Sequence, residues 1–323
     1  MPQVTYTQAY KQAIYEEMRR DSRVFILGED VEIASFADGV AEFGRTRIRN
    51  TPICEAGFIG AGIGAALTGM RPVVEAAVST FLYSAMDQIA NQAAKTRYMF
   101  GGQASVPIVI RSTLFYGASS AAHHADRPWA LFAQIPGLKI ITPSTPYDAK
   151  GLMKSAIRDL NPVLCFDDFT LLGLPGEVPH DDYAIPIGVA DIKRTGSDLS
   201  IVTLAGGVKT SLTAAEELEE TGISAEVVDI RSVVPLDHGA ILDSVAKTGL
   251  LLIVDPAPRT CSVASEVAAS VAEHGFGYLK APVVRLTAPD VPVPFSPELE
   301  KRLYPTAGAI ATAARKLCDR VRR

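Results

Sequence analysis

Through Thr5 to Asp21 (TYTQAYKQAIYEEMRRD) apolar residues recur at near-helical spacing and the run closes on charge, which predicts an amphipathic helix. Short, almost wholly apolar runs follow at RVFILGED (23–30), RPVVEAAV (71–78), VPIVIRS (106–112), GLKIITP (137–143) and NPVLCFDD (161–168). Runs of that length without alternation read as strands buried on both faces of a parallel sheet. Helices are expected between them: a Gly-rich one over 55–70, a long one from Thr80 to Tyr98, and one from Pro146 to Arg158. Val31 to Asn50 reads as irregular, turning at Gly39 and Gly44.

Leu171 to Asp198 holds prolines and glycines and no long apolar run, and the alternation then restarts. DLSIVTLAG (198–206), AEVVDIRSV (225–233), GLLLIVDPA (249–257) and PVVRLTAPD (282–290) read as strands, with helices near 209–220, 237–247, 262–274 and 305–322. The expected fold is therefore α/β with two doubly wound domains, residues 1–180 and 198–323, joined by a linker at 181–197. A length of 323 residues allows two cores.

Composition narrows the function classes. Hydrophobic residues make up 48% and charged residues 21%, an ordinary globular balance, and the net charge of -5 leaves no footprint for nucleic acid or an anionic membrane. The longest apolar stretch, Phe58 to Met70, is broken by glycines and too short to span a bilayer, so the expected location is cytoplasmic. Cys54, Cys165, Cys261 and Cys318 form no CxxC pair, and are expected to be reduced and mostly buried. An intact GxGxxG with an acidic ribose ligand is missing, and so is a Walker GxxxxGK[ST].

The chemistry centres on TPICEAGFIGAGIGAALTGM (51–70), where Glu55 precedes a run of small and apolar residues. Glycine weakens an exposed helix by about 1 kcal/mol per residue relative to alanine, so five glycines between 57 and 69 imply a helix packed backbone-close on another surface. A partly desolvated carboxyl group at such a helix entrance can trade a proton with a bound heterocycle. It also fits an acidic first turn that complements the helix dipole, and spacing leaves both readings open. The strand ending at Gly28-Glu29-Asp30 points its carboxyl end to where ligands collect in open parallel sheets. TLFYGASSAAHHADRP (113–128) lacks periodicity, carries His123-His124-Ala125-Asp126, and is long enough to read as a functional loop.

Five segments, taken in order, resemble one family nearly end to end: TPICEAGFIGAGIGAALTGMRPVVE, MDQIANQAAKTRYMFGG, PIVIR, PGLKIITPSTPYDAKGLMKSAIRDLNPV and IRSVVPLD. The chain resembles the β subunit of the thiamine-diphosphate-dependent first component of 2-oxo acid dehydrogenase complexes, the pyruvate, branched-chain and acetoin type. The resemblance implies a pyrimidine-binding thiamine-diphosphate domain followed by a transketolase C-terminal-like domain. It makes Glu55 the carboxylate bonded to N1' of the aminopyrimidine, a contact that favours the imino tautomer and so activates the thiazolium carbon. It places Phe81 on the pyrimidine face, Ala77 and Ser84 in neighbouring pocket positions, and His124 beside the reacting carbon. Without it, Phe81 would read as a core aromatic and His124 as a surface residue. Ile108, Ala156, Ile157, Asp159 and Asn161 match positions that hold a structural monovalent cation, K+, largely through carbonyls.

The sequence departs from the family at His124-Ala125-Asp126, where Ser-Gln usually follows the histidine, at Ser112 for Gly, at Ser84 for Gln, and at Val234 for a second arginine after Arg231. No GDG-type turn followed by asparagine supplies a diphosphate and Mg2+ site. The resemblance therefore implies an α subunit holding Mg2+ in an α2β2 assembly, and a lipoyl acyltransferase core as acceptor. A split transketolase or acyloin-forming carboligase subunit is the second enzyme reading, and a non-catalytic scaffold the third.

Overall fold

A computed structural model describes residues 2–322, so Met1 and Arg323, the outer ends of the two expected domains, lie outside the described residues. The chain divides into two compact units, Met1–Ile187 and Gly188–Arg323.

In the first unit, strands β1 (Gln3–Thr5), β2 (Val24–Gly28), β3 (Ile48–Asn50), β4 (Arg71–Val78), β5 (Val109–Leu114), β6 (Lys139–Ile141), β7 (Val163–Asp168) and β8 (Pro175–Glu177) alternate with helices. The helices are α1 (Tyr6–Arg20), α2 (Val40–Phe43), α3 (Glu55–Leu67), α4 (Ala94–Met99), α5 (Trp129–Ala133) and α6 (Pro146–Arg158). The main sheet runs β6-β7-β5-β4-β2-β3, and these neighbours pair parallel, while β1 and β8 form a separate antiparallel pair.

Thr5 and Gln8 form a reciprocal capping box that starts α1. Tyr6, Ala9, Tyr10, Ala13, Ile14 and Met18 of α1 are buried, and the helix packs on α6. Polar groups at that contact are paired across it: Lys150 and Lys154, both nearly inaccessible, reach Glu16 at 2.8 and 2.5 Å, and Arg158 reaches Glu17 at 2.6 Å. Buried charges persist where such partners are in place.

The second unit carries β9 (Asp191–Arg194), β10 (Leu199–Thr203), β11 (Ala225–Asp229), β12 (Ser232–Val234), β13 (Leu251–Pro258) and β14 (Val284–Ala288). Its helices are α7 (Gly206–Glu219), α8 (His238–Thr248), α9 (Val263–His274), α10 (Pro297–Glu300) and α11 (Ala307–Arg322). The sheet order β14-β13-β10-β11-β9 is parallel except for β9, which pairs antiparallel with β11. Residues 171–198, expected to be a plain crossing, thus include two short strands, β8 and β9. Both are too short and too polar to register as apolar runs.

Two further expectations change. The long helix from Thr80 to Tyr98 is a 3-10 segment at Ser79–Ala85, a π-type segment at Gln88–Ala93, and then α4. Ser79 and Thr80 spend their hydroxyls on the carbonyls of Asp126 and His123, and Ser84 donates to Phe81 O, so local side-chain bonds compete with regular helix. Of the four free cysteines only Cys165 and Cys318 are buried, whereas Cys54 and Cys261 are exposed.

The glycines of α3 serve different ends. A Cβ on Gly62 would stand 2.8 Å from Val74 Cγ2 and 3.1 Å from Ile108 Cδ1, so there the helix does lie backbone-close on the sheet. Gly64 has nothing within 4 Å. Gly62→Val should therefore destabilise the chain by about 2 kcal/mol through overpacking. Gly64→Ala should stabilise it by about 1 kcal/mol through helix propensity. Urea unfolding of the two variants checks this, and equal shifts of the same sign would contradict the packing argument.

Candidate active site

Three strands of the first unit deliver the expected residues to their carboxyl ends. After β2, Glu29 is half-buried and Asp30 exposed, with Asp30 in the left-handed region at φ 52°. Thr51 N–H returns to Gly28 O at 3.0 Å, which brings the chain back to begin α3 at Glu55. Cys54 at the N-cap gives no side-chain hydrogen bond, so the first-turn carboxylate of Glu55 is the acidic group at this helix end.

β4 leads into the 3-10 segment that presents Phe81 and Ser84. Ser84 Oγ, whose proton goes to Phe81 O, lies 3.2 Å from Glu55 Oε2, which brings two of the predicted residues together directly. β5 leads into the 113–128 loop, where Ala122–His124 form one 3-10 turn and Ser119 and Ala121 adopt left-handed backbone. His124 packs edge-on against Phe81 with ring centroids 5.6 Å apart, and lies 4.0 Å from the His123 ring. His124 Nδ1 lies 3.0 Å from Ser120 O. A carbonyl only accepts, so Nδ1 carries the proton in the neutral ring and Nε2 is left with its lone pair.

Glu55 with Ser84, and Phe81 with His124, thus form two linked pairs, tied by the Ser84 to Phe81 O bond of 2.8 Å. Ala77 is half-buried at the end of β4. Burial raises the pKa of Glu29, and the charges of Glu55 and Asp30 raise it further. The arrangement supplies a carboxylate, an aromatic ring, small side chains and an imidazole. That donor set suits an uncharged heteroaromatic with a ring nitrogen able to share a proton. Glu29, Asp30, Glu55 and Asp126 have the wrong sign for a diphosphate.

The positions matched to a monovalent cation cluster at the end of α6 and beside β5. Their carbonyls already have donors: Ile108 O accepts from Val163 N–H, Ala156 O from Asp159 N–H, and Ile157 O and Asp159 O from Arg71 Nη1 at 2.7 and 3.0 Å. Asn161 Nδ2 donates to Asp159 Oδ1, and Asn161 Oδ1 accepts from Arg97. A carbonyl oxygen has two lone pairs, so these bonds leave capacity for one more contact each. Among the described residues no group of three or more His, Cys, Asp or Glu is placed to hold a metal ion.

Sequence reasoning missed the residues that hold the histidine loop. Ser79, Thr80 and Tyr83 bond Asp126 O, His123 O and Asp126 Oδ2, the last at 3.1 Å. It also missed Glu75 and Arg111, buried and paired at 2.5 Å. A single acidic residue inside β4 and a single basic residue inside β5 were the available signal.

The profile described as "Transketolase, pyrimidine binding domain" matches residues 2–167, and that described as "Transketolase, C-terminal domain" matches residues 188–310. The chain is 46% identical to the acetoin:2,6-dichlorophenolindophenol oxidoreductase subunit beta of Bacillus subtilis, covering 97% of each chain. It is 45% identical to the 2-oxoisovalerate dehydrogenase subunit beta of the same organism, covering 99% of this chain and all of that one. To the B. subtilis pyruvate dehydrogenase E1 component subunit beta the identity is 42%, with the same coverage. Among solved structures, a split-gene transketolase in an inactive beta4 tetramer superposes with a TM-score of 0.82 at 23% identity over 98% of both chains, a likeness of fold.

Proposed function

Because this chain belongs to the transketolase-like family of 2-oxo acid dehydrogenase and acetoin oxidoreductase β subunits, we propose that it is the β subunit of a thiamine-diphosphate-dependent 2-oxo acid dehydrogenase. Together with an α subunit in an α2β2 assembly, it decarboxylates a 2-oxo acid and passes the acyl group to a lipoyl carrier on an acyltransferase core. The observation that carries this reading is the joining of Glu55 to Ser84 and of Phe81 to His124 at one end of a parallel sheet.

Thiamine diphosphate, when bound, supplies the nucleophilic carbon and electron sink that decarboxylation needs. Glu55 holds a proton at its carboxylate for the pyrimidine ring nitrogen, with Ser84 Oγ beside that carboxylate. Phe81 would hold the pyrimidine face, with Ala77 and Ser84 in the neighbouring pocket positions. His124, with Nδ1 tied to Ser120 O, offers Nε2 to the substrate or the acyl acceptor. Mg2+ and the diphosphate fall to the α subunit, because this chain has no GDG-type turn followed by asparagine and the acidic groups at this end of the sheet repel the phosphates. K+ is assigned to the carbonyls of Ile108, Ala156, Ile157, Asp159 and Asn161 as a structural ion. Exposed free thiols at Cys54 and Cys261 fit a reducing cytoplasm, and no described helix is long and apolar enough to cross a membrane.

The test is reconstitution. The chain alone should bind Mg2+-thiamine diphosphate weakly and turn over nothing, whereas adding its α chain should create tight binding, decarboxylation and acylation of a lipoyl domain. Micromolar binding with turnover by the chain alone would refute the division of the site. A panel of pyruvate, branched-chain 2-oxo acids and acetoin identifies the donor. Aldehyde ligation without lipoyl acylation would move the assignment to a carboligase.

A further inference from the structure

β4 and β5 lose register where Glu75 opposes Arg111 but Val78 opposes Thr113, three steps against two, so β4 carries one extra residue there. Such a bulge leaves a backbone N–H outside the ladder and bends the strand. Ala77 sits in it with φ 48°, in the left-handed region that a residue bearing a Cβ adopts only when its surroundings impose it.

The surroundings are unusual for the middle of a parallel sheet. Glu75 and Arg111 are each 3% exposed and Asp167 1%. Arg111 Nη1 holds Glu75 Oε2 at 2.5 Å and Arg111 Nε holds Asp167 Oδ2 at 2.5 Å. Tyr6 OH donates to Asp167, and the guanidinium lies 3.7 Å from the centroid of the Tyr10 ring. Burial pushes the pKa of the Glu75 carboxyl up, while Arg111 and the nearby Ala77 N–H favour its charged form. From behind, β2 presses on the same point: a Cβ on Gly28 would stand 2.2 Å from Glu75 O. A buried ion pair is weak evidence for stability by itself. Here the carboxylate is clamped at the start of the bulge, close to the Ala77 N–H, and two residues after Ala77 begins the segment that carries Phe81 and Ser84.

We propose that Glu75, clamped by Arg111, is a positioning residue that fixes the left-handed turn at Ala77 and thereby sets the wall of the cofactor pocket. The inference rests on the reading of this end of the sheet as the pyrimidine half-site. Glu75 acts through Ala77 and touches no reacting atom.

Two readouts test it. In the isolated chain, Glu75→Gln keeps an oxygen near Ala77 but loses the charge that Arg111 holds, so the amide of Ala77 should exchange about tenfold faster by mass spectrometry of peptides spanning 75–81. In the complex with the α chain, the same variant should weaken thiamine diphosphate binding, measured by calorimetry, by about tenfold while kcat at saturating cofactor stays within about threefold. Ala77→Gly, which removes the penalty for positive φ, should restore most of the affinity in the Glu75→Gln background. If Glu75→Gln does not fold, Arg111→Lys keeps the charge but loses the two-way bridge, and Ala77 exchange should again quicken. Unchanged exchange and affinity in these variants would overturn the proposal, as would a double variant no tighter than Glu75→Gln alone. A wild-type complex that binds no thiamine diphosphate would instead reject the half-site reading, while Ala77 exchange still reports on Glu75 without any ligand.

Discussion

Glu55→Gln, assembled with its α chain, should leave the circular dichroism spectrum and melting temperature of the first unit unchanged and cut kcat/KM by about a thousandfold, the scale of a lost proton-transfer partner. The substitution keeps side-chain length and the oxygen that Ser84 Oγ reaches at 3.2 Å, so packing at the entrance of α3 is preserved. What disappears is a group that can hold a proton at one moment and release it at the next. Exchange of the thiazolium C2 proton for deuterium in the assembled complex isolates that step from substrate binding. Exchange at the wild-type rate would remove Glu55 from its assigned role, whatever happened to turnover.

His124→Ala should lower kcat by about a hundredfold and leave the affinity for thiamine diphosphate nearly intact. The ring stands edge-on to Phe81, with Nδ1 committed to Ser120 O, so under the proposed assignment Nε2 is the nitrogen left for chemistry, and cofactor retention should depend on it little. Loss of cofactor binding with normal residual chemistry would contradict this. His123 is the natural control: it is exposed, its carbonyl is bound by Thr80, and His123→Ala should change kcat little. Converting Ala125 and Asp126 to Ser and Gln should change substrate preference, because Asp126 holds Tyr83 OH across the loop.

Regular strands and helices were legible because parallel-sheet strands are continuous apolar runs and α1 and α6 carry their caps in the sequence. The segment after β4 was not. Ser79, Thr80 and Ser84 bond to groups distant in the chain or to their own turn, and a propensity for helix cannot register those bonds. Glu55, Phe81 and His124 became candidates through resemblance, whereas their mutual geometry depends on where three strands end. Glu75 and Arg111 escaped because pairing is a property of strand order: β4 and β5 are neighbours in the sheet, with the 3-10 and π segments and α4 between them in the chain.

The packing of α1 on α6 has a consequence for synthesis. Arg158 lies 141 residues beyond its partner Glu17, so α1 emerges from the ribosome long before the helix it is built to meet. At roughly 5 to 20 residues per second the wait is on the order of 10 to 30 s. Throughout it, the face bearing Tyr6, Ala9, Tyr10, Ala13, Ile14 and Met18 has no α6 to cover it, and Glu16 has neither lysine. An isolated helix of 15 residues is marginal in water, so α1 should join the nascent fold late although it is made well before α6. Nascent chains stalled before residue 146 should expose α1 to protease and to chaperones that bind apolar helices, and chains stalled well past residue 158 should protect it.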